Sequence, residues 1–262
     1  MDTLRDAWEA GYRTRGRTWG GSPGCLPPLY PGSRVLELGC GDGKTLSFLV
    51  SSIRLPESPA TGTPFRAESG GTSQVTGSMG GGKPGSDTAP VAAGSAGLSQ
   101  PVSGPVAAEI VGADFSREAL RLCRGRTEFA SVRFVAADGR CLPFRDRTFS
   151  QVLMIHLAGH VTEPGRTAMA REAKRVLLPG GSLYFAGFSR GDLREGQGTE
   201  VEPYSFRRND GTITHYFTEE EVTGLFRPLS PVRVETRRWE LKVRGMSHPR
   251  AEISACFVKR SE

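Results

Sequence analysis

VLELGCGDGKT, residues Val35–Thr45, is an apolar run that breaks into three glycines at alternate positions. An apolar run bounded by glycines predicts a buried strand followed by a tight turn. Glycine adopts positive φ without steric cost, and because it lacks Cβ a ligand can approach its backbone closely. In an open α/β sheet, ligands bind where the parallel strands end. The segment Gly39–Gly43 is therefore predicted to be a ligand-binding turn.

Strands and helices alternate on both sides of this turn. The predicted strands are Arg34–Leu38, Glu109–Asp114, Val132–Ala136, Phe149–His156 and Ser182–Phe188. The predicted helices are Lys44–Ile53, Ser116–Cys123, Thr167–Leu177 and Glu219–Phe226, the last preceded by a capping box of Thr218 and Glu221. Two final runs, Val232–Leu241 and Ala251–Lys259, predict a hairpin around a turn at Gly245–Pro249. This alternation predicts an α/β fold: a doubly wound, mostly parallel seven-stranded sheet with a C-terminal antiparallel hairpin.

Residues 55–105 differ in composition from the rest of the chain. They are dominated by Gly, Ser, Pro, Thr and Ala, with Phe65 as their one aromatic residue. Such a segment buries too little apolar surface to offset the entropy of ordering its backbone, which predicts a disordered insertion. The strand–helix unit before it has no core of its own, and a long loop adds little closure entropy. We therefore expect one domain over residues 1–262, interrupted by this spacer.

Composition limits the classes of protein that are compatible with the chain. No apolar run approaches the roughly 18 residues that span a bilayer, and the N-terminus lacks the apolar core of a signal peptide. A cytoplasmic protein without membrane contact is therefore expected. The 5 cysteines are scattered, which argues against disulfides and against a zinc site. The net charge of +6 comes mostly from dispersed arginines, which favours solvated surface charge and leaves a polyanion-binding surface open.

Four ordered stretches resemble the class I S-adenosylmethionine (SAM)-dependent methyltransferases, particularly the type 11 group. Glu37-x-Gly39-x-Gly41-x-Gly43 is similar to motif I, and Lys44 stands where a dinucleotide fingerprint would need its third glycine. VGADFS contains an acid, Asp114, at the end of a predicted strand. FVAADGRCLPFRDRTFSQVLMIHL resembles the third and fourth motifs, and EAKRVLLPGGSLYFAGF resembles the last helix, Pro-Gly-Gly turn and fifth strand.

The resemblance implies that SAM is the cofactor, leaving as S-adenosylhomocysteine (SAH). Asp114 would accept hydrogen bonds from the ribose hydroxyls, and Asp138 would accept one from the adenine amine. Phe115 or Leu142 could pack on the face of the adenine ring. Glu37 would orient the turn or approach the cationic amine, although a helix cap is an alternative; Phe115 could equally be core. The residues expected to contact the cofactor in the body of the domain are Glu37, Gly39, Cys40, Gly41, Gly43, Asp114, Phe115, Ser116, Asp138, Gly139 and His156.

An N-terminal arm, residues 1–30, precedes the first strand. In several related small-molecule methyltransferases, aromatic and arginine side chains of this arm close over SAM. The resemblance therefore adds Tyr12, Arg15 and Trp19 to the expected cofactor-binding residues, with Arg15 on the SAM carboxylate. A helix that packs on the domain, with Trp8 in the core, is the alternative.

The acceptor side is expected after the fourth and fifth strands. His156 is the candidate catalytic residue, as a general base for a protonated nucleophile, and a structural histidine is the alternative. The pair His156 and His160 lacks a third ligand, so no metal is expected. Residues 189–217 have no periodic core pattern and are expected to form a lid. With Arg208, the candidate substrate-binding residues are His160, Tyr204, Arg207, His215 and Tyr216.

The expected function is SAM-dependent methyl transfer to a small-molecule acceptor by in-line displacement. After the fourth strand the chain reads His156–Gly159 and lacks the Asp/Asn-Pro-Pro-aromatic tetrapeptide of amino-methylating nucleic-acid enzymes. The middle of the chain also resembles tRNA wobble-uridine methyltransferases, which with the net positive charge keeps tRNA as an alternative acceptor. A non-catalytic interaction module is a further alternative. The protein is expected to be a monomer or a homodimer.

Overall fold

The computed structural model describes residues 3–16, 26, 28–30, 32–54 and 108–261. The expected insertion and Trp19 lie outside the described residues. The helices are α1 Thr3–Arg15, α2 Lys44–Arg54, α3 Arg117–Arg124, α4 Glu163–Val176 and α5 Glu219–Leu225. The strands are β1 Arg34–Leu38, β2 Glu109–Asp114, β3 Val132–Ala136, β4 Phe149–Ile155, β5 Leu177–Phe188, β6 Thr199–Glu202, β7 Ser205–Arg207, β8 Ile213–His215, β9 Ser230–Val243 and β10 Met246–Val258.

Seven strands form one sheet in the order β3-β2-β1-β4-β5-β10-β9. Strands β1 to β5 pair in parallel, whereas β10 runs antiparallel to both β5 and β9. The expected mostly parallel seven-stranded sheet with a C-terminal hairpin is thus confirmed. The chain moves from β1 towards one edge and from β4 towards the other. The ends of β1 and β4 therefore mark the point where the strand order reverses and a ligand crevice opens.

Both faces of the sheet are covered by helices, which explains why β1 is buried at four of its five positions. One face packs against α4 and α5 in a cluster that includes Phe149, Phe185 and Phe257. The opposite face packs against α2 and α3 through residues such as Leu46 and Leu120. The sheet therefore holds the ends of its central strands in fixed positions relative to the helices.

The observed elements differ from the predicted ones mainly at their ends. Helix α4 begins at Glu163 rather than at Thr167, because Pro164 is suited to the first helical turn. The hairpin turn is tighter than predicted: Arg244 and Gly245 both have positive φ, 49° and 80°. Two such residues make the short turn that matches the twist of paired strands. Pro249, expected in the turn, instead lies within β10 opposite Glu240.

The expected lid segment, residues 189–217, contains a second sheet that the sequence did not reveal. Strands β6, β7 and β8 form a three-stranded antiparallel sheet. Each strand has only three or four residues, too few for an alternating pattern to be recognised.

A buried charge network joins this small sheet to α4 and α5. The Arg166 side chain is only 4% exposed and donates to the Val161 carbonyl oxygen at 2.9 Å and to the Glu202 carboxylate at 2.6 Å. The Glu221 carboxylate lies 3.7 Å from the Arg166 Nε and 2.9 Å from the His215 Nε2. The Thr218 hydroxyl accepts from the Glu221 N–H and so caps α5, whereas the Glu221 carboxylate belongs to the charge network.

Replacing Arg166 with methionine is expected to lower the free energy of unfolding by about 3 kcal/mol, because the Glu202 carboxylate would stay buried without its partner. Urea denaturation measures the change. Arg171→Met is the matched control, since Arg171 is exposed on the same helix, and its expected change is below about 0.5 kcal/mol. Equal stabilities of the two variants would contradict a structural role for the Arg166 network.

Helix α1 is attached to the domain through the beginning of α3. The Glu9 carboxylate accepts hydrogen bonds from the backbone N–H groups of Arg117 at 2.7 Å and Glu118 at 3.2 Å. These are N–H groups that the first turn of a helix leaves unpaired.

No helix of the described residues is long and apolar enough to cross a bilayer.

Candidate functional site

A cavity of about 650 Å³ opens at the carboxyl ends of β1, β2, β4 and β5. Its wall includes the glycine turn after β1, the ends of these strands, α1 and the β9–β10 hairpin. Of the residues proposed from the sequence, those that line it are Tyr12, Glu37, Gly39, Cys40, Gly41, Asp114, Phe115, Asp138, Gly139, Leu142, His156 and His160. The sheet therefore brings together residues that are more than a hundred positions apart in the chain.

The glycine turn requires glycine at all three positions. Gly39, Gly41 and Gly43 have φ of 69°, 53° and 85°, a region that costs other residues about 1–2 kcal/mol. A Cβ on Gly39 would lie 2.6 Å from the Leu157 Cδ1, and one on Gly41 would lie 2.6 Å from the Tyr12 hydroxyl. A side chain at either position would therefore clash with Leu157 or Tyr12.

Gly43 does not line the cavity, contrary to its expected role in cofactor contact. A Cβ at this position would lie 2.4 Å from the Phe129 ring and 3.2 Å from the Cys123 Sγ. The third glycine is therefore needed for packing of the turn against the segment that follows α3.

Asp114 is buried at the end of β2 and faces the glycine turn. One carboxylate oxygen accepts from the Gly41 N–H at 2.8 Å, and the other accepts from the Ser116 N–H at 2.8 Å. Burial raises the pKa of Asp114 to about 6, although these backbone hydrogen bonds act in the opposite direction. Each oxygen retains a second lone pair that can accept from a hydroxyl in the cavity.

Ser116, expected near the cofactor, does not line the cavity. Its hydroxyl accepts from the Ala119 N–H at 3.1 Å and so caps α3. Its backbone N–H positions Asp114. Ser116 therefore positions Asp114 and caps α3 without lining the cavity.

Glu37 contributes a buried carboxylate to the cavity wall. It is 3% exposed, and among the described residues its Oε2 has no hydrogen-bond partner. Burial raises the pKa of Glu37 well above its ordinary value, with the Thr45 hydroxyl acting against the rise. An unpaired buried carboxyl oxygen is costly and suits a site that receives a cationic or hydrogen-bond-donating ligand group.

Asp138 lines the cavity, but an arginine already holds its carboxylate. The Arg140 guanidinium contacts both carboxylate oxygens, at 2.7 Å for its closest nitrogen, and the Arg140 N–H donates at 2.8 Å. Because Arg140 also lines the cavity, the ion pair rather than the free acid forms this wall. The Leu157 side chain lies between Gly39 and Gly139, 3.7 Å from where a Gly139 Cβ would be.

Helix α1 closes one side of the cavity. Leu4, Trp8 and Tyr12 recur every four residues and all line the wall, as one face of a helix predicts. The Trp8 ring packs edge-on against His160 with centroids 4.9 Å apart. Tyr12 was proposed for the cofactor site, and Trp8 in the core was the alternative for this helix; both residues line the cavity.

Arg15, proposed for the SAM carboxylate, does not line the cavity. It is the last residue of α1, its side chain is 55% exposed, and its guanidinium pairs with the Asp210 carboxylate at 3.2 Å. The arginine thus tethers the end of α1 to the turn between β7 and β8.

His156 lines the cavity beside the β9–β10 hairpin. Its Nε2 lies 2.9 Å from the Glu252 carboxylate, and its ring lies 4.7 Å from the Phe188 ring. Its Nδ1 is buried and has no hydrogen-bond partner in the described part of the chain. A base role for His156 stays a prediction, because Glu252 holds its Nε2 and its Nδ1 is buried, so the ring would have to turn to reach an acceptor.

A backbone carbonyl group fixes the tautomer of His160. Its Nδ1 lies 2.7 Å from the Ile213 carbonyl oxygen, which can only accept, so Nδ1 carries the hydrogen and Nε2 accepts. Burial lowers the pKa of His160 to about 4, and the hydrogen bond to Ile213 only partly offsets this. His160 is therefore a neutral acceptor at neutral pH.

The other five proposed substrate-binding residues, all in 189–217, are not among the residues that line the cavity. Arg208 follows β7, and its backbone N–H donates to the Thr212 carbonyl oxygen at 2.8 Å. Tyr204 is 42% exposed and stacks under the Arg190 guanidinium at 3.6 Å, and Arg207 is exposed on β7. His215 is 2% exposed and is bonded through both ring nitrogens to Ser205 and Glu221. Tyr216 is fully buried between Phe188 and Phe206. These side chains belong to the small sheet and to its contacts with α5 and with the end of β5. No local sequence pattern distinguishes such residues from those of a binding surface.

Several cavity residues were not proposed from the sequence. From α1 and the strand ends come Leu4, Trp8, Arg140 and Leu157, and from β5, the segment after it and the hairpin come Phe188, Arg194, Trp239, Arg250 and Glu252. The hairpin residues alternate along β9 and β10, so their common face could have been derived from the predicted hairpin. Among the described residues, no cluster of His, Cys, Asp and Glu could hold a metal ion.

Comparison with known families and curated proteins identifies methyltransferases. The Methyltransferase domain family matches residues 90–181. The tRNA N(3)-methylcytidine methyltransferase Mettl2 of Drosophila melanogaster is 30% identical over 164 residues, which are 58% of this chain and 50% of that protein. A fatty-acid O-methyltransferase of Mycolicibacterium smegmatis is 28% identical over 165 residues, covering 63% and 40% of the two chains. This chain thus spans half or less of the length of these relatives.

Comparison with solved structures identifies the same fold. A SAM-dependent methyltransferase from Methanosarcina mazei superposes with a TM-score of 0.56 at 19% identity, covering 90% of this chain and 96% of that one. The 1,6-didemethyltoxoflavin-N1-methyltransferase of Burkholderia thailandensis, solved with bound 1,6-didemethyltoxoflavin and SAH, gives a TM-score of 0.50 at 14% identity, covering 99% of this chain and 79% of that one. At these identities the likeness concerns the fold.

Proposed function

We propose that this chain, which belongs to the class I SAM-dependent methyltransferase superfamily, transfers a methyl group from SAM to a small-molecule acceptor held in the cavity. The observation that carries the proposal is the convergence of three groups on one cavity: the positive-φ glycine turn, the buried Asp114 and the unpaired Glu37 oxygen. Together they suit a ligand with hydroxyls to donate and a cationic amine. SAM has both.

Each of these groups has a task towards the cofactor. Asp114 would accept from the ribose hydroxyls, Glu37 would face the amine, and the amides of the turn would hold the amino-acid end. The Asp138–Arg140 pair and Leu142 would bound the adenine. When bound, SAM supplies a methyl group on a positively charged sulfonium.

Helix α1 would exclude water from the reacting atoms. The faces of Leu4, Trp8 and Tyr12 line the cavity, and a dry site strengthens the electrostatic interactions inside it. His160, as a neutral acceptor, would orient a donor group of the substrate. His156 would take a proton from a protonated nucleophile after its ring turns. Holding the acceptor near the methyl group is the larger contribution to rate.

SAH affinity is expected to fall at acid pH. The pKa of Asp114 is about 6 in the unliganded protein, and a carboxylate bonded to two hydroxyls is stabilised in its ionised form. Binding must therefore release a proton below about pH 6, and affinity should decrease by about tenfold per pH unit in that range. Calorimetry at a series of pH values measures this, with Asp114→Asn as the variant that should lose the slope. A flat profile between neutral and acid pH would contradict the assignment.

The raised pKa also affects the stability of the unliganded protein. Because the folded pKa of Asp114 lies above its usual value of 3.8, its contribution to stability is fully present below that usual value. It is lost as pH rises through about 6. SAH should offset this loss, so its stabilising effect in thermal melts should be larger above pH 6 than below.

The function is tested by supplying methyl-labelled SAM to the purified protein with two fractions of a cell extract, small molecules and total tRNA. Label is expected in the small-molecule fraction and not with the Asp114→Ala variant. Label in tRNA alone would contradict the proposed acceptor class, and label in neither fraction would favour a non-catalytic module.

Transfer RNA is the second candidate acceptor. It is supported by the net charge of +6 and by the similarity to a tRNA N(3)-methylcytidine methyltransferase. Micromolar tRNA binding that weakens steeply with salt would support it, because each phosphate contact releases counterions. Absence of tRNA binding at low salt would exclude it.

We further propose that residues 55–105 act as a spacer within one domain. A chain in which a short glycine–serine linker replaces residues 56–104 should bind SAH as tightly as the full chain, since closing a long loop adds little entropy cost. Calorimetry on both proteins measures the difference. A large drop in affinity would show that the segment takes part in the site.

A further inference from the structure

Two arginines in the cavity share one carboxylate. The Asp192 side chain is 0% exposed and lies 2.6 Å from the Arg250 Nε and 3.3 Å from the Arg194 Nε. Both arginines line the cavity, with side chains 16% and 26% exposed. The two arginines and the carboxylate that they share together carry a net charge of about +1.

The arginine pair has unused hydrogen-bonding capacity. Each guanidinium contacts Asp192 through its Nε. These contacts do not use the two terminal nitrogens, Nη1 and Nη2. The Arg194 Nη2 is buried and has no hydrogen-bond partner among the described residues. A buried charged donor without a partner is costly, and native structures with such a group call for an explanation such as a missing ligand.

Aromatic side chains surround the pair. The Arg194 guanidinium carbon lies 4.2 Å from the centre of the Phe188 ring, and that of Arg250 lies 5.6 Å from Phe188 and 5.5 Å from Trp239. Phe188, Trp239 and Leu241 also line the cavity. The charged group is therefore set among flat apolar surfaces that an aromatic ligand could contact.

Glu252, the acid in this part of the cavity wall, is already compensated. Burial tends to raise the pKa of Glu252, but the hydrogen bond with His156 and the charges of His156, Lys44 and Arg237 hold it below its ordinary value. Its carboxylate contacts the His156 Nε2 at 2.9 Å and, among the described residues, forms no ion pair with Arg194 or Arg250. Arg194 follows β5 and Arg250 lies on β10, whereas Glu37 and Asp114 lie in β1 and β2 and Asp138 follows β3. In the strand order β4 separates the two groups, which therefore lie on different sides of the cavity.

We infer that Arg194 and Arg250 bind the carboxylate of a small aromatic acceptor, whose ring lies against Phe188 and Trp239. This inference rests on the proposed function and specifies its acceptor class. Planar guanidinium groups bind carboxylates through two parallel hydrogen bonds, which fixes the orientation of the ligand. The charge–charge contact would thus set how the bound acceptor is oriented towards the cofactor end of the cavity.

A small acid fits these observations better than a nucleic acid. The guanidinium groups lie inside the cavity and are mostly buried, so the backbone of a polymer would not reach them easily. A net charge of about +1 also suits a singly charged group. Nucleic-acid binding remains an outcome of the test.

The test measures binding of naphthoate and of the uncharged, isosteric naphthamide to SAH-saturated protein by calorimetry. SAH binding is measured first. Its absence would refute the proposed function, whereas SAH binding without discrimination between the probes would refute only the acceptor inference. We expect naphthoate to bind at least about tenfold more tightly than naphthamide, the size of one charge-assisted hydrogen bond.

Arg194→Met is expected to remove this preference and to leave SAH affinity within about twofold, since additivity holds for separate sites. Arg194→Lys, which keeps the charge but not the fork, should retain part of it. Arg190→Met is the matched control: Arg190 lies in the same segment but outside the cavity wall, and its variant should bind both probes as the parent does.

Any one of five outcomes would overturn the inference, and the first four concern the two probes and tRNA. They are equal affinity for the two probes, no naphthoate binding at millimolar concentration, a preference that survives in Arg194→Met, or displacement of naphthoate by tRNA together with loss of tRNA binding in Arg194→Met. A large drop in SAH affinity in Arg194→Met would also overturn it, because the pair would then bind the carboxylate of the cofactor.

Discussion

Replacement of Asp114 with alanine is expected to weaken SAH binding at least about 100-fold, because two charge-assisted hydrogen bonds of about 1.5–3 kcal/mol each would be lost. The same change removes the acceptor for the Gly41 N–H, so the glycine turn would also lose a contact that holds its shape. Calorimetric titration with SAH measures the loss, and a thermal melt without ligand reports any separate change in folding.

Asp146→Ala is the control for this variant. The Asp146 side chain is 71% exposed and pairs with Arg175, and its removal should leave SAH affinity unchanged while costing less than about 1 kcal/mol of stability. A folded Asp114→Ala protein with the SAH affinity of the parent would contradict the ribose assignment and leave the fold intact.

Replacement of Gly39 with alanine is expected to have the second largest effect. Gly39 has φ of 69°, and a Cβ would lie 2.6 Å from the Leu157 Cδ1. Left-handed backbone and overpacking together should lower the free energy of unfolding by about 2–4 kcal/mol. Since the turn must hold its amides in place before the ligand arrives, SAH affinity should fall by at least about tenfold.

Two further variants separate the causes. Adding Leu157→Ala to Gly39→Ala should relieve the steric part of the loss but not the backbone part, so the double variant should recover only partly. Gly224→Ala is the matched control: Gly224 lies in α5, and a Cβ there meets nothing within 4 Å. Its expected change is neutral or stabilising by about 0.5–1 kcal/mol. A neutral Gly39→Ala would show that the turn tolerates a side chain.

The central sheet was predictable because its signals are local. The run Val35–Leu38 is apolar except for Glu37, and the glycines that follow are required by positive φ. Asp114 ends a strand adjacent to β1. Parallel pairing of neighbouring strands then brings these residues to one edge. Their positions follow from strand order alone.

The acceptor side was less predictable because its residues depend on tertiary contacts. His215 and Tyr216 have the chemistry of a binding site, yet their burial against Glu221, Phe188 and Phe206 is set by the small sheet. Arg194 has no motif around it. It reaches the cavity because Asp192, buried under the hairpin, bonds both Arg194 and Arg250. Arg250 is 58 positions from Asp192 in the chain, so no local pattern indicates this contact.

The most direct test of the account is a calorimetric titration of the purified chain with SAH at neutral pH. We expect one-to-one binding with a low-micromolar dissociation constant, and we expect the Asp114→Ala variant to lose this binding. No binding at millimolar SAH by a folded protein would contradict it, since the glycine turn, Asp114 and Glu37 would then line a cavity that does not take the cofactor.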